Sequence, residues 1–358
     1  MEITSTVKEE DLTPQELQIR NARYNPYRDL MFDYFTKAKA PKTVDQYLAA
    51  FERAKTWAKG MKVSVLPMHV DDLMTYLIHV SENVESFAAV KMARYGLAYV
   101  HQMAGYPDPT KDPGVTLIIE AARRMWAHPV KKAKPMTLYI IKMLVDKILG
   151  YDMIRSKDSF KVSIVEWRTV INIVIKFCFV ARNADVLELT RQHFTFIKDL
   201  LYIHFPKSKN DQYFEGSTTM FESAKDKRYC PVYLTSKYFE RLGYEPSSTG
   251  YFLPKVIMKK VDKMSNKNVF VASPKEHVSY NMCLQDRRKL LLRMGLPAKD
   301  FTEHSDRVGG VSHLFNNGGT VEEAQAQGRW KTTETPKKYI QKSESKEREI
   351  SRRFFKND

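Results

Sequence analysis

The sequence predicts a mainly α protein with one small antiparallel β-sheet. This is an α+β chain in two parts, an all-helical N-terminal domain followed by a mixed C-terminal domain. Three observations predict it. Four stretches with apolar residues at helical spacing crowd into residues 42–127. A stretch rich in proline and lysine, Pro129-Val130-Lys131-Lys132-Ala133-Lys134-Pro135, follows them. Beyond it, two short β-prone runs flank Lys198-Asp199 in the manner of a hairpin.

Residues 1–25 are polar and are expected to be a flexible segment. A helix near 42–59 carries Val44, Tyr47, Leu48, Phe51, Ala54 and Ala58 on one stripe, with Gly60 as its stop. A second near 69–81 carries Val70, Leu73, Met74, Leu77 and Val80, and a third near 86–104 carries Phe87, Val90, Ala93, Tyr95, Leu97 and Val100. Gly105-Tyr106-Pro107-Asp108-Pro109 breaks the chain before a fourth near 113–127. Four helices on short links make a compact bundle over 26–128. Proline at both ends of 129–136 discourages helix, so this stretch reads as a basic linker to a second domain, 137–358. There the pattern predicts helices near 137–149 and 162–181, the latter running up to Arg182. Phe194–Ile197 and Leu200–Phe205 form the hairpin, and Tyr229–Tyr233 is expected to be a third strand. Helices return near 235–242, 278–294, 306–316 and 321–327. Lys255, Lys259, Lys260, Lys263 and Lys267 mark a charged segment that either touches a polyanion or is simply solvated.

The 358 residues suffice for about two domains, and 43% hydrophobic content excludes wholesale disorder. Lys and Arg number 58 against 42 acids, a net charge of +16, which favours a polyanionic partner. No apolar run reaches the ~18 residues of a membrane span. The polar start Met1–Glu10 carries no secretory signal. Cys178, Cys230 and Cys283 are too scattered for a metal site or a disulfide framework, and are expected to be reduced thiols.

Six residues carry candidate chemistry: Arg182, Lys209, His304, Arg307, Trp330 and Tyr339. His304 and Arg307 are i and i+3, so a helix puts them on one face. Two arginines, a lysine and a histidine around one point suit a phosphodiester whose charge rises in the transition state. A tyrosine hydroxyl there can attack phosphorus and form a covalent intermediate. The chain shows no evident carboxylate cluster for magnesium.

Arg182-Asn183-Ala184-Asp185-Val186-Leu187-Glu188-Leu189 resembles the Arg-x-x-acid-x-x-x-Leu signature of the tyrosine recombinases, the phage-integrase superfamily. Ser208-Lys209-Asn210-Asp211 is similar to its hairpin-lysine motif. Thr302-Glu303-His304-Ser305-Asp306-Arg307 is similar to its His-x-x-Arg box. Gly328-Arg329-Trp330 stands nine residues before Tyr339, with Trp330 where many relatives have a second histidine. The Gly-Arg-Trp box looks most like the DIRS and Ngaro branch of eukaryotic mobile elements.

The resemblance implies a core-binding domain joined to a catalytic domain, which together clamp duplex DNA. It implies a Tyr339 nucleophile, a 3′-phosphotyrosyl intermediate and no cofactor, metal or ATP. It makes Lys209 the general acid, with Lys207 as the fallback, while His304 binds the phosphate or takes the tyrosine proton. The partners implied are double-stranded DNA and three further copies around a tetrameric synapse that works through a Holliday junction. The expected DNA contacts outside the six are Lys131, Lys132, Lys134, Lys207 and Arg329. The compartment implied is cytoplasmic for a prokaryotic or viral source and nuclear for a eukaryotic element. A type IB topoisomerase and a domesticated DNA-binding protein that no longer cuts are the alternative readings. Asp306 departs from the family, whose members usually place an apolar residue before the second arginine. A helix turns it about 100° from Arg307, toward solvent or toward a cap at the helix start.

Overall fold

The computed structural model describes residues 33–128, 133–150, 162–207, 215–260 and 268–353, together with Gln15, Tyr27, Leu30 and Met31. The expected flexible segment 1–25 lies outside these apart from Gln15, as do linker residues 129–132 and the lysines at 263 and 267. The chain divides into two compact units, Met1–Val130 and Lys131–Asp358.

The first unit is helical among the described residues. α1 (Pro41–Met61) starts with proline at its first turn, where no N–H is needed, and stops at Lys62 in a left-handed conformation. α2 (Val70–Val84) and α3 (Phe87–Met103) follow, then α4 (Pro113–Met125), which the Asp112 carboxylate caps by accepting from Gly114 N at 2.7 Å. Leu73, Leu77, Val90, Leu97 and Val115 form the core at 0% exposure. Gly96 lets α3 sit against α1, because a Cβ there would lie 2.7 Å from Tyr47 O. His101 is buried as a structural residue, its Nε2 accepting from Met68 N at 3.0 Å.

The second unit is built on α6 (Ile164–Cys178), which follows α5 (Leu138–Leu144) and its π-helical continuation Val145–Leu149. A capping box between Ser163 and Glu166 starts α6. The helix is buried on all sides, with Trp167, Ile171, Ile173 and Ile175 at 0% exposure. That is the signature of a core helix rather than a surface one. α7 (Asn183–Leu187) leads to β1 (Phe194–Ile197), β2 (Leu200–Phe205) and β3 (Ser217–Glu222), an antiparallel sheet in chain order with Phe194 opposite Ile203 and Phe205 opposite Ser217. α8 (Pro231–Leu242) precedes a two-stranded antiparallel ribbon, β4 (Pro254–Lys260) and β5 (Asn268–His277). The unit finishes with α9 (Tyr280–Arg293), α10 (Ser305–Asn316), α11 (Val321–Gly328), α12 (Glu334–Lys337) and α13 (Glu344–Arg353). No described helix is long and apolar enough to cross a membrane.

Three expectations are corrected. Tyr229–Tyr233 is not a strand: Lys227–Tyr229 is a 3₁₀ turn and Pro231 opens α8. Proline has no N–H for a ladder, and its fixed φ suits the first turn of a helix. The third strand is the more polar Ser217–Glu222, whose residues alternate between half-buried and exposed. The long helix stops at Cys178 rather than near 181, and the described residues form two small antiparallel sheets rather than one, the second pairing Pro254–Lys260 with Asn268–His277.

Candidate active site

Arg182 is placed by a sharp turn after α6. Val180 has φ 47, a left-handed conformation that a β-branched residue rarely adopts. The turn packs Val180 with Val311, Ala324 and Trp330, and leaves Arg182 at the start of α7. Arg182 Nη1 then lies 3.8 Å from Asp185 Oδ2, one turn along. The same carboxylate oxygen is 3.4 Å from Arg329 Nη2.

Arg307 projects from the first turn of α10. The next turn of this helix admits no side chain on its inner face. A Cβ at Gly309 would lie 1.9 Å from Met136 O, and one at Gly310 would lie 2.1 Å from Phe177 O. α10 is therefore pressed directly on the backbone of α6 and of the chain entering α5. Arg307 is completely buried. Its Nη2 donates to Gly328 O at 2.9 Å, and its guanidinium carbon sits 4.0 Å from the centre of the Trp330 ring. Its Nε and Nη1 have no hydrogen-bond partner among the described residues. Burial, followed by the charges of Arg182 and Arg329, pushes the Arg307 pKa down from its ordinary 12.5 to about 9.

Trp330 and Tyr339 close the other side. α11 begins with a capping box of Thr320 and Glu323 and ends as Arg329 turns left-handed at φ 55. Gly328 makes that turn possible, since a Cβ would meet the Trp330 ring at 2.2 Å. Trp330 N donates to Gln325 O at 3.0 Å, and Gln325 Nε2 donates back to Trp330 O at 3.1 Å. The Trp330 and Tyr339 ring centres are 5.2 Å apart, and the Tyr339 ring centre is 5.8 Å from the Arg307 guanidinium carbon. Ser312 Oγ donates to Tyr339 O at 3.2 Å, which ties the tyrosine segment to α10.

Among the described residues, the buried N–H groups here without a hydrogen-bond partner are Arg182 Nη1, Arg307 Nε and Nη1 and Trp330 Nε1, with Asn183 Nδ2 and Arg329 Nε beside them. Buried donors are ordinarily satisfied, and a group of guanidinium and indole donors of this kind can take up an anion. Arg182, Arg307 and Arg329 bear on one another, with Asp185 as the carboxylate they share. His304 lies at the start of α10 and is exposed. Partial burial, then Arg307, Lys176 and Arg182, lower its pKa, so the neutral ring is favoured.

Arg329, expected as a surface contact, has a buried side chain. Its side chain is 6% exposed, it pairs with Asp185, and its guanidinium lies 3.7 Å from the centre of the Phe205 ring. Its pKa is lowered to about 10 by burial, against which Asp185 works. Lys134 is on the surface and pairs with Asp300 at 2.7 Å. Lys207 is exposed at the end of β2. Lys131, Lys132 and Lys209 lie outside the described residues. Asp306 neither faces solvent nor caps its helix. It is 0% exposed, accepts from Arg287 Nη1 at 2.8 Å and forms an ion pair with Lys176 Nζ at 3.1 Å. Those two cations neutralise the carboxylate that would otherwise repel a phosphate. Lys176, Arg287 and the Asp185–Arg329 pair had no signal in the sequence, because their partners are remote along the chain.

No protein-family model matches the sequence, and no curated protein matches it. Among solved structures it is similar to XerH site-specific recombinase in a post-cleavage complex with palindromic difH, at 14% identity over 87% of this chain and 78% of that one, with TM-score 0.55. It is also similar to the Tn1549 transposon integrase in complex with transposon right end DNA, at 13% identity over 90% and 98%, with TM-score 0.53. A lambda integrase dimer bound to a COC′ core site matches at 13% identity over 93% and 82%, with TM-score 0.50. The chain has the tyrosine-recombinase fold. Identity this low speaks for the fold alone. Within the tyrosine-recombinase fold, the meeting of Arg182, Arg307, Trp330 and Tyr339 is read from this chain's own packing.

Proposed function

We propose that this protein is a site-specific DNA recombinase that cuts and rejoins strands through a phosphotyrosine at Tyr339. One observation carries the reading: a fully buried arginine keeps two N–H groups unpartnered beneath a tyrosine ring, with a second arginine and an unpartnered indole N–H alongside.

In this mechanism the Arg182 and Arg307 forks hold the non-bridging oxygens of the scissile phosphate, and Trp330 Nε1–H donates a third bond. Tyr339 Oη attacks phosphorus, and its proton passes to His304, whose ring partial burial and the neighbouring cations keep neutral. The P–O5′ bond breaks, and the departing oxygen takes a proton from Lys209. The products are a 3′-phosphotyrosyl bond and a free 5′ hydroxyl. A second 5′ hydroxyl reverses the step and regenerates the tyrosine, so the bond energy is conserved without ATP or a metal. Each donor removed from such a site costs roughly 3–4 kcal/mol of transition-state stabilisation. Two strand exchanges within a tetramer on duplex DNA pass through a Holliday junction. The Gly-Arg-Trp form of the box favours the DIRS-like mobile-element branch.

The test uses a pool of nicked duplexes with randomised sequence. The wild-type chain is expected to give SDS-resistant adducts, and Tyr339→Phe to give none while still binding DNA. Binding without any wild-type adduct would overturn the reading.

A further inference from the structure

We infer that Lys176 is a positioning residue. Its ammonium ties together the backbone positions from which Arg182, His304 and Arg307 project. The inference rests on the reading of the site proposed above.

Lys176 belongs to the apolar helix α6 and is 0% exposed. Its Nζ donates to Asn183 Oδ1 at 3.1 Å, reaches Asp306 Oδ2 at 3.1 Å and donates to Glu303 Oε2. An ammonium has only donors, and this one makes two hydrogen bonds and one ion pair. Each of those oxygens sits one residue from the site. Asn183 follows Arg182, Glu303 precedes His304, and Asp306 precedes Arg307. One buried cation is therefore linked to three separate pieces of chain at the point where each delivers a side chain.

Arg287 of α9 locks the same carboxylates from the far side. Its Nε donates to Glu303 Oε1 at 3.0 Å, and its Nη1 and Nη2 donate to the two oxygens of Asp306. Asn172 Nδ2 donates to Asn183 Oδ1 at 3.1 Å, so that amide is fixed as well. Two cations face two carboxylates, and all four are at most 3% exposed. Burial alone would raise the Glu303 pKa, but Lys176 and Arg287 outweigh it and hold the group below its usual range.

Apolar side chains of similar volume would fill this space at comparable or better stability, because desolvating ions is expensive. They would not fix direction or distance. Hydrogen bonds near 3 Å from one nitrogen do both, and a site that grips phosphorus with two forks tolerates displacement of only about 0.5 Å.

Two variants test this. Lys176→Met/Asp306→Leu removes one charge of each sign and leaves the Arg287–Glu303 pair intact. Asn183→Ala removes an uncharged acceptor and leaves every charge paired, so it keeps the test usable if the double variant fails to fold. The single-turnover rate of adduct formation at saturating DNA is compared with DNA affinity and with the urea midpoint. We expect the rate to fall by about tenfold or more in each folded variant, with affinity within about twofold of wild type. A folded variant that cuts at the wild-type rate would overturn the inference. An independent readout is the Trp330 indole N–H resonance, because the Arg307 guanidinium lies 4.0 Å from the centre of that ring. It should shift in both variants without DNA, and an unchanged resonance would also overturn the inference. If the wild-type chain itself forms no adduct, the proposed function fails, while the resonance still decides the role of Lys176.

Discussion

Replacing Arg307 with methionine should abolish cleavage and leave the free protein as stable as before, or slightly more so. The magnitude follows from its surroundings. Arg307 is fully buried, and its pKa falls from 12.5 to about 9. At 1.36 kcal/mol for each pKa unit, the site disfavours the charged form by roughly 5 kcal/mol. Against that stand one hydrogen bond to Gly328 O and the contact with the Trp330 ring. The first is worth roughly 2 kcal/mol, including the carbonyl left unpaired. The second is worth about 2 kcal/mol when desolvated. Methionine fills much of the volume, removes the charge and forfeits these contacts together with that to the Tyr339 ring, so the opposing contributions nearly cancel. Urea unfolding followed by tryptophan fluorescence measures this, and stability should stay within about 1 kcal/mol of wild type. Adding inorganic sulfate should stabilise the wild type more than the methionine variant, because the variant loses the two unpartnered Arg307 donors and keeps those of Arg182 and Trp330. A loss of stability greater than about 2 kcal/mol would refute the reasoning, since it would mean the guanidinium is satisfied within the protein rather than waiting for an anion.

Further outcomes follow from the same geometry. Trp330→Phe should keep the packing against Tyr339 but lose the indole N–H, cutting the adduct rate by about 100-fold with little change in the urea midpoint. Gly309→Ala should cost more than about 3 kcal/mol, because its Cβ would lie 1.9 Å from Met136 O, and a thermal melt with a lower midpoint checks this. The acid limb of kcat/KM against pH should fall below the ordinary histidine value of 6.5. The folded His304 pKa is lowered, so the neutral base persists to lower pH and is lost only as pH drops through that depressed value. His304→Asn should remove the limb, and a limb above 6.5 in the wild type would contradict the assignment.

The geometry shows which parts of the site a sequence can reveal. Arg182, His304, Arg307, Trp330 and Tyr339 stand at spacings that single them out, and the structure packs Arg307 against the Trp330 and Tyr339 rings, with Arg182 and His304 near enough to feel its charge. Lys176 was hidden because a lysine inside an apolar helix reads as a surface residue. Its partners Glu303 and Asp306 lie more than a hundred residues away, beyond any local pattern. Asp306 was misplaced for the same reason: helical periodicity gives a direction from the axis but not what waits there. The pairing of Arg329 with Asp185 depends on a left-handed residue at a helix end, which moves a side chain from the surface inward. The four N-terminal helices were legible from apolar periodicity. The strands at 217–222, 254–260 and 268–277 were not, because their polar or lysine-rich faces mask the alternation.

The central claim is that one phenol oxygen becomes bonded to DNA phosphorus beside the paired guanidiniums. Trapping the adduct on a nicked duplex, digesting both partners and locating the modified peptide by mass spectrometry tests it directly. A deoxynucleotide 3′-phosphate on Tyr339 is the predicted result. The same mass on any other tyrosine, or none on the wild-type chain while DNA is bound, would contradict it.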